Sequence, residues 1–269
     1  MDLSYQARPV TYNKKVGPKS VITDILVMAK RDLLKIKHNP DKLFDVTLMP
    51  IIFMIMFSFL FGGAIAGNVQ SYLPIIVPGI LIQTLISASS GAGTQLREDI
   101  ETGVFDRFKS LPIARISPLA GLLLSDMARY AIATVISLCT GYLIGWRAQA
   151  GFGWLLIAVL ITVFASWALS WIFALVGLLF KSSSTISTVS MMLTMVLSFL
   201  SSAFVPINTL PNWLKVVAQV NPVTHLVSAF KDLANRGTFS GDALATIAIS
   251  CIIAAIFIPL TVKIYSKKA

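Results

Sequence analysis

Charged side chains cluster most densely between residues 97 and 115 of this 269-residue chain, where carboxylate and guanidinium groups stand close together. Phe105, Phe108 and Leu111 in the same stretch have the i, i+3, i+6 spacing of one helix face. The pattern predicts a short amphipathic helix, ended by proline. Such a helix docks into a groove on a soluble partner or rests on a lipid surface, and the residues leave both interpretations open. The candidate contact residues are Arg97, Glu98, Asp99, Glu101, Gly103, Phe105, Arg107, Phe108, Leu111 and Pro112.

A second cluster, residues 206–236, combines prolines and polar residues with two amphipathic stretches. It is too interrupted for a full membrane span and too apolar for a free loop, so we predict two short helices that re-enter the outer leaflet. An outer gate and an interfacial plug with an aromatic anchor are equally compatible with this pattern. The candidate residues are Pro206, Leu210, Pro211, Trp213, Asn221 and Pro222.

Asp126 and Arg129 form a third candidate site inside an apolar run. Their i, i+3 spacing places both on one helix face, where they can pair. Ionisable residues within a span usually face protein or water rather than lipid. A role toward a substrate and a self-neutralised pair near the cytoplasmic end both remain open, with the pair favoured.

Motifs for catalysis or nucleotide binding are missing from this sequence. It contains no G-x-x-x-x-G-K-[ST] phosphate loop, no H-E-x-x-H and no G-x-S-x-G. Cys139 and Cys251 lie in apolar runs without metal or redox spacing. We therefore expect no catalytic residue, no metal site and no cofactor in this chain.

The elements that must position these residues follow from composition. Hydrophobic residues make up 56% of the chain and charged residues only 13%, against about 25% in a soluble domain. A span needs about 20 apolar residues. We predict an all-α integral membrane protein in which a cytoplasmic segment, 1–43, precedes a membrane domain, 44–269. Ser20–His38 is expected to form an amphipathic interfacial helix. The predicted spans are 44–61, 73–95, 122–144, 154–180, 186–205 and 243–264.

The net charge of +10 is distributed unevenly along the chain. With the N-terminus in the cytoplasm, the inner segments hold 17 lysine and arginine residues and the outer loops hold four. The positive-inside rule therefore predicts that both termini are cytoplasmic. The basic excess is typical of a topology signal, with binding to anionic lipid headgroups as the alternative, so no nucleic-acid partner is expected.

The first two clusters, in this order and among six spans, match the motifs of a known family. An acidic-basic stretch with Gly103 precedes Leu111-Pro112 and Arg115, which fit an L-P-x-x-R motif. Pro206, Leu210-Pro211, Trp213-Leu214 and Asn221-Pro222 fit P-x-x-x-L-P-x-W-L followed by N-P. Over residues 20–269 the chain resembles the ABC-2 type transporter permeases, also called type V ABC exporters, and in particular the daunorubicin-resistance branch. Asp99 departs from the residues that many relatives carry.

The resemblance implies a membrane permease subunit that works with a separate ABC ATPase, which binds the ATP and Mg. It implies a dimer with a second copy or a paralogous permease in a bacterial or archaeal cell membrane. The loop helix and the N-terminal helix would grip the ATPase. Spans two and five, with the outer helices, would lie near the path of a hydrophobic, drug-like substrate. A permease for lipids or lipid-linked glycans is an alternative, and an ion-coupled secondary transporter is a weaker one.

Overall fold

The structure, a computed structural model, describes residues 18–38, 44–109, 113–114, 116–204 and 211–268. Helices make up most of these residues, and no strand occurs among them. The helices are α1 Pro18–His38, α2 Phe44–Ala66, α3 Val69–Glu101, α4 Val104–Lys109, α5 Ser117–Ile144, α6 Phe152–Leu179, α7 Ser183–Phe199, α8 Asn212–Val220, α9 Pro222–Lys231 and α10 Gly241–Lys268. A π-helical turn, Asp232–Arg236, continues α9.

Five of these helices are long and apolar enough to cross a membrane, namely α2, α3, α5, α6 and α10. The prediction of an all-α membrane protein is therefore confirmed. The remaining predicted span, 186–205, corresponds to α7, an apolar helix of only 17 residues. The structure thus supports five spans by length, and the sixth stays a prediction.

Helix α3 extends beyond its predicted end at residue 95 and continues to Glu101. Arg97 pairs with Glu101 one turn later, at 3.0 Å, and such a pair supports a helix past the end of its apolar run. Gly103 then adopts a left-handed φ of 68°, which ends the helix. The first half of the predicted loop is therefore the last turn of α3, and only residues 104–109 form a separate helix.

Helix α3 lies at the centre of the fold and packs against α2, α5, α6 and α7. Gly93 and the α6 residue Gly177 allow the closest approach, because a Cβ on either would overlap the backbone of the other helix. The hydroxyl of Ser89 also crosses this contact and donates to the Ser166 carbonyl at 3.0 Å. Small residues and shared hydrogen bonds thus hold the central helix pair together.

Helix α1 packs against the beginning of α5. A Cβ on Gly121 would lie only 2.5 Å from the Cβ of Met28, so the glycine permits this contact. Met28 and Ala29 are buried there, whereas Ile22 and Leu26 remain exposed on another face of α1. The helix therefore has one apolar face against the protein and a second without protein cover among the described residues.

Candidate functional site

Part of the charged cluster at the end of α3 forms ion pairs with α1. The Lys35 ammonium lies 3.2 Å from a carboxylate oxygen of Asp99, and Arg31 lies 3.9 Å from the other oxygen. Asp32 is buried between the same two cations, 3.2 and 3.3 Å away, and its burial raises its carboxyl pKa. Two carboxylates and two cations thus fasten α1 to the end of α3.

Helix α1 also contacts the rest of the segment between α3 and α5. The Arg31 guanidinium lies 4.7 Å from the ring centroid of Phe108 in α4, within cation–π distance. The Asp24 carboxylate accepts a hydrogen bond from the Ala114 amide at 3.2 Å. Helix α1 therefore contacts the end of α3, helix α4 and the segment just before α5.

Glu101 connects the same end of α3 to α7. Its carboxylate accepts a hydrogen bond from the Ser183 hydroxyl at 2.7 Å, at the first residue of α7, and its other oxygen pairs with Arg97. Glu98 and Arg107 are exposed, as Glu101 itself is. Of the predicted contact residues, Asp99 and Phe108 thus face α1 and Glu101 faces α7, while Leu111 and Pro112 lie outside the described residues.

An elongated groove of about 540 Å³ runs between α3 and α7. Polar residues outnumber apolar ones in its lining, although apolar atoms contribute the larger share of its surface, and three methionine or phenylalanine side chains lie along α7. The polar lining residues are Gln83, Ser87, Ser90, Thr94, Gln95, Glu98, Arg129, Ser187, Ser190 and Thr194, and the apolar ones are Met191, Met195 and Phe199. The serine- and threonine-rich composition of residues 182–202 is the sequence signal for this polar wall.

Asp126 and Arg129 lie at the back of this groove, on α5. Their side chains form an ion pair, with 3.1 Å between a guanidinium nitrogen and a carboxylate oxygen. Asp126 is 1% exposed and Arg129 is 7% exposed. Of the two, only Arg129 lines the groove. The pair is therefore internal, yet one member reaches a cavity.

Asn221 fastens the outer helices to the end of α7. Its side-chain oxygen accepts a hydrogen bond from the Val223 amide and caps α9. Its amide nitrogen donates to the Leu197 and Leu200 carbonyls, at 2.8 Å each. These carbonyls lie at the end of α7, where intrahelical donors run out. The Asn-Pro motif therefore caps two helices at once, with Pro222 at the first position of α9.

Helix α8 exposes its apolar side chains. Trp213 is 71% exposed, and Val216 and Val220 are also exposed. Pro211 directly precedes the helix without capping it through a side chain. Pro206 and Leu210, the remaining gate candidates, lie outside the described residues. An exposed tryptophan on an apolar face suits both the gate and the plug interpretation.

A cluster of charges beside α9 had no functional interpretation from the sequence. The His225 ring lies 2.7 Å from the Asp242 carboxylate, and Lys231 donates to the Ser202 carbonyl at 3.5 Å. Burial lowers the pKa of Lys231 to about 8. With Asp232 and Asp242, Lys231 lines a cavity of about 390 Å³. Within the described residues, no group of three histidine, cysteine or carboxylate side chains could hold a metal ion.

Comparison with known proteins identifies the relatives of this chain. The family model described as ABC-2 type transporter matches residues 23–233. The daunorubicin resistance ABC transporter permease protein DrrB1 of Streptomyces coeruleorubidus is 36% identical over 88% of this chain and 84% of its own length. The probable doxorubicin resistance ABC transporter permease protein DrrC of Mycobacterium tuberculosis is 24% identical over 80% of this chain and 78% of its own. A putative transport permease, ycf38, of Cyanophora paradoxa is also 24% identical, over 81% and 76%.

Proposed function

Because this chain belongs to the ABC-2 type transporter family, we propose that it is the membrane permease subunit of an ATP-binding-cassette exporter. Its cargo is a hydrophobic or amphiphilic, drug-like molecule that leaves the cell. The observation that carries the proposal is the groove between α3 and α7, whose lining combines hydroxyl and amide groups with the methionine and phenylalanine side chains of α7. A wall of this kind suits a molecule with one apolar and one polar part.

The proposed topology has six spans, with α7 as the fifth and both termini in the cytoplasm. Seventeen residues of helix extend about 25 Å, slightly less than the hydrocarbon thickness of about 30 Å. The distribution of lysine and arginine supports this orientation. The exposed apolar face of α1 supports an interfacial position in the inner leaflet, and Trp213 supports one for α8 in the outer leaflet.

Energy comes from a separate ABC ATPase that binds ATP and Mg, over which two permease subunits assemble, either two copies or this chain and a paralogue. The side chains of Glu98 and Arg107 are exposed and lie on the surface that we assign to this partner. A displacement there would pass through Glu101 and Ser183 to α7. From the other end of α7 it would pass through Asn221 to the outer helices. These contacts connect the proposed docking surface, the groove and the proposed gate.

Other cargo classes and other energy sources are less well supported. A lipid or lipid-linked glycan exporter would use the same groove, but the relative with 36% identity is named for daunorubicin resistance. An ion-coupled transporter would need a membrane carboxylate for the coupling ion, and Asp126 is paired with Arg129. The export of a drug-like amphiphile therefore remains the conclusion.

The direct test is ATP-dependent daunorubicin transport in proteoliposomes that contain the permease and its ABC ATPase. We expect fluorescence quenching by DNA trapped in the vesicles, only when hydrolysable ATP is added on the ATPase side. Transport driven by a proton or sodium gradient without the ATPase would refute the proposal. A non-hydrolysable ATP analogue is the matched control.

Docking is tested separately with Glu98→Lys and Arg107→Glu. Both side chains are exposed, so the variants should fold like the wild type while ATPase stimulation by the permease falls. Because Glu98 also lines the groove, only a fall in both variants assigns the effect to docking. Lys181→Glu is the control, because Lys181 is exposed on the same predicted side but outside the loop. Unchanged stimulation in both loop variants would remove the docking assignment.

A further inference from the structure

Gly91 opens a window through α3. Arg129 belongs to α5, behind α3, yet its guanidinium lines the groove between α3 and α7. A Cβ built on Gly91 would lie 3.7 Å from Nη1 and 3.9 Å from Nη2 of Arg129. Alanine would just touch the guanidinium, and a branched side chain would stand between it and the groove. The missing side chain is therefore what exposes this cation to the cavity.

Arg129 has hydrogen-bonding capacity that the protein leaves unused. A guanidinium carries five N–H donors, and Nη1 donates to the Asp126 carboxylate. The Nε donor has no hydrogen-bond partner among the described residues. The residue is only 7% exposed, and a buried donor without a partner is costly. A buried donor of this kind needs an explanation, and a ligand that reaches the neighbouring Nη atoms at Gly91 would supply part of the missing hydrogen bonding.

The hydroxyls across the groove have the same property. Ser190 Oγ and Thr194 Oγ1 lie on the α7 wall and have no hydrogen-bond partner within the described part of the chain. Other hydroxyls of the bundle differ among themselves: those of Thr84 and Thr162 donate to carbonyls one turn back, whereas that of Ser137 also has no partner in the described part of the chain. Donors without partners thus stand on both sides of one cavity.

We propose that Arg129, reached through the window at Gly91, is a specificity-determining residue that donates hydrogen bonds to an oxygen acceptor on the cargo. The planar guanidinium fork fits a carboxylate best, because two parallel N–H groups can bind its two oxygens. Asp126 positions the fork and balances its charge, so the pair remains tolerable in a membrane. The assignment of the ligand as cargo rests on the proposed function, whereas the binding chemistry follows from the groove.

The experiment compares two probes that differ only at one end, 11-(dansylamino)undecanoate and the matching dansyl undecylammonium. Binding to the permease in lipid nanodiscs without ATPase is followed by energy transfer from tryptophan, with empty nanodiscs subtracted. Two variants remove the proposed contact in different ways. Asp126→Asn with Arg129→Gln replaces the ion pair by neutral amides and avoids an unpaired buried charge. Gly91→Val closes the window and leaves the pair intact, and Gly63→Val, where a Cβ meets open space, is its control.

We expect wild-type protein and Gly63→Val to prefer the carboxylate probe. Both test variants should bind that probe about 10- to 150-fold more weakly, the range for hydrogen bonds to a charged group. Their affinity for the ammonium probe should be unchanged. No carboxylate preference in the wild type, an unchanged preference in either test variant, or an equal loss for both probes would overturn the inference. A carboxylate preference without ATP-driven transport of either the carboxylate probe or daunorubicin in proteoliposomes would sustain Arg129 as a binding group and refute the exporter instead.

Discussion

Gly93→Ala has two opposing effects on stability, because alanine favours the α3 helix but disturbs the contact of α3 with α6. A Cβ at this position would overlap the Phe173 carbonyl and lie 3.3 Å from the Gly177 amide of α6. Both obstacles are backbone atoms, which cannot rotate away as a side chain can. The substitution must therefore push α3 and α6 apart at the centre of the fold.

The magnitude follows from two opposing terms. Alanine is favoured over glycine in a helix interior by about 1 kcal/mol. Overpacking costs about 1–3 kcal/mol, and contact with two backbone groups places Gly93→Ala at the upper end of that range. The net loss is about 2 kcal/mol. Two residues away, Gly91→Ala meets only the Arg129 guanidinium at 3.7 Å, an ordinary contact, and gains up to about 1 kcal/mol.

The assay is the thermal unfolding midpoint of the purified protein in one detergent, together with the monodisperse fraction after heating. Gly93→Ala should unfold several degrees below the wild type, and Gly91→Ala at or above it. Because both variants carry the same new methyl group in the same helix, their difference isolates the contact with α6. Equal midpoints for the two variants would refute the packing argument.

Three further outcomes can be measured in the same way. Lys231→Met should raise the unfolding midpoint at pH 7 and flatten its pH dependence. Burial lowers the pKa of Lys231 to about 8 from an ordinary 10.5. Between those two pH values the unfolded chain binds more protons than the folded one, so wild-type stability rises with pH there. Lys35→Glu should lower the midpoint, because it places a third carboxylate beside those of Asp32 and Asp99. Lys30→Glu, at an exposed position of α1, should not. Asn221→Ser should lose less stability than Asn221→Ala, because the serine hydroxyl keeps a cap on α9 (about 1 kcal/mol) and loses only the donors to α7.

Hydrophobic runs predicted the long helices because lipid requires about 20 apolar residues whatever the tertiary contacts are. The same criterion misplaced the end of α3, since Arg97 and Glu101 pair along one helix face and continue it as charged turns. The spacing of Asp126 and Arg129 indicated that the two side chains could pair, but it could not predict the cavity beside them. That cavity depends on residues from three helices, which local patterns cannot bring together.

Contacts between segments that are distant in the chain could not be predicted from a single sequence. Lys35 and Asp99 are 64 positions apart, and each reads as an ordinary surface charge until α1 packs against the end of α3. Gly91 and Gly93 are alike in sequence, yet one opens a window to Arg129 and the other touches α6. Only the rotation of α3 about its axis distinguishes them.

Helix α7 supplies the hydroxyl-bearing wall of the groove beside the central helix α3. Its buried residues, Ile186, Ser190, Thr194 and Ser198, form a single stripe at i, i+4 spacing, and three of the four are small and polar. Small polar residues bury little apolar surface, so this stripe holds α7 weakly along its length. Side-chain hydrogen bonds hold it at its ends instead, from Ser183 to Glu101 and from Asn221 to its last carbonyls. A helix attached at both ends and weakly held between them can shift against α3 without losing either attachment, as the displacement proposed to pass from Glu101 to Asn221 requires.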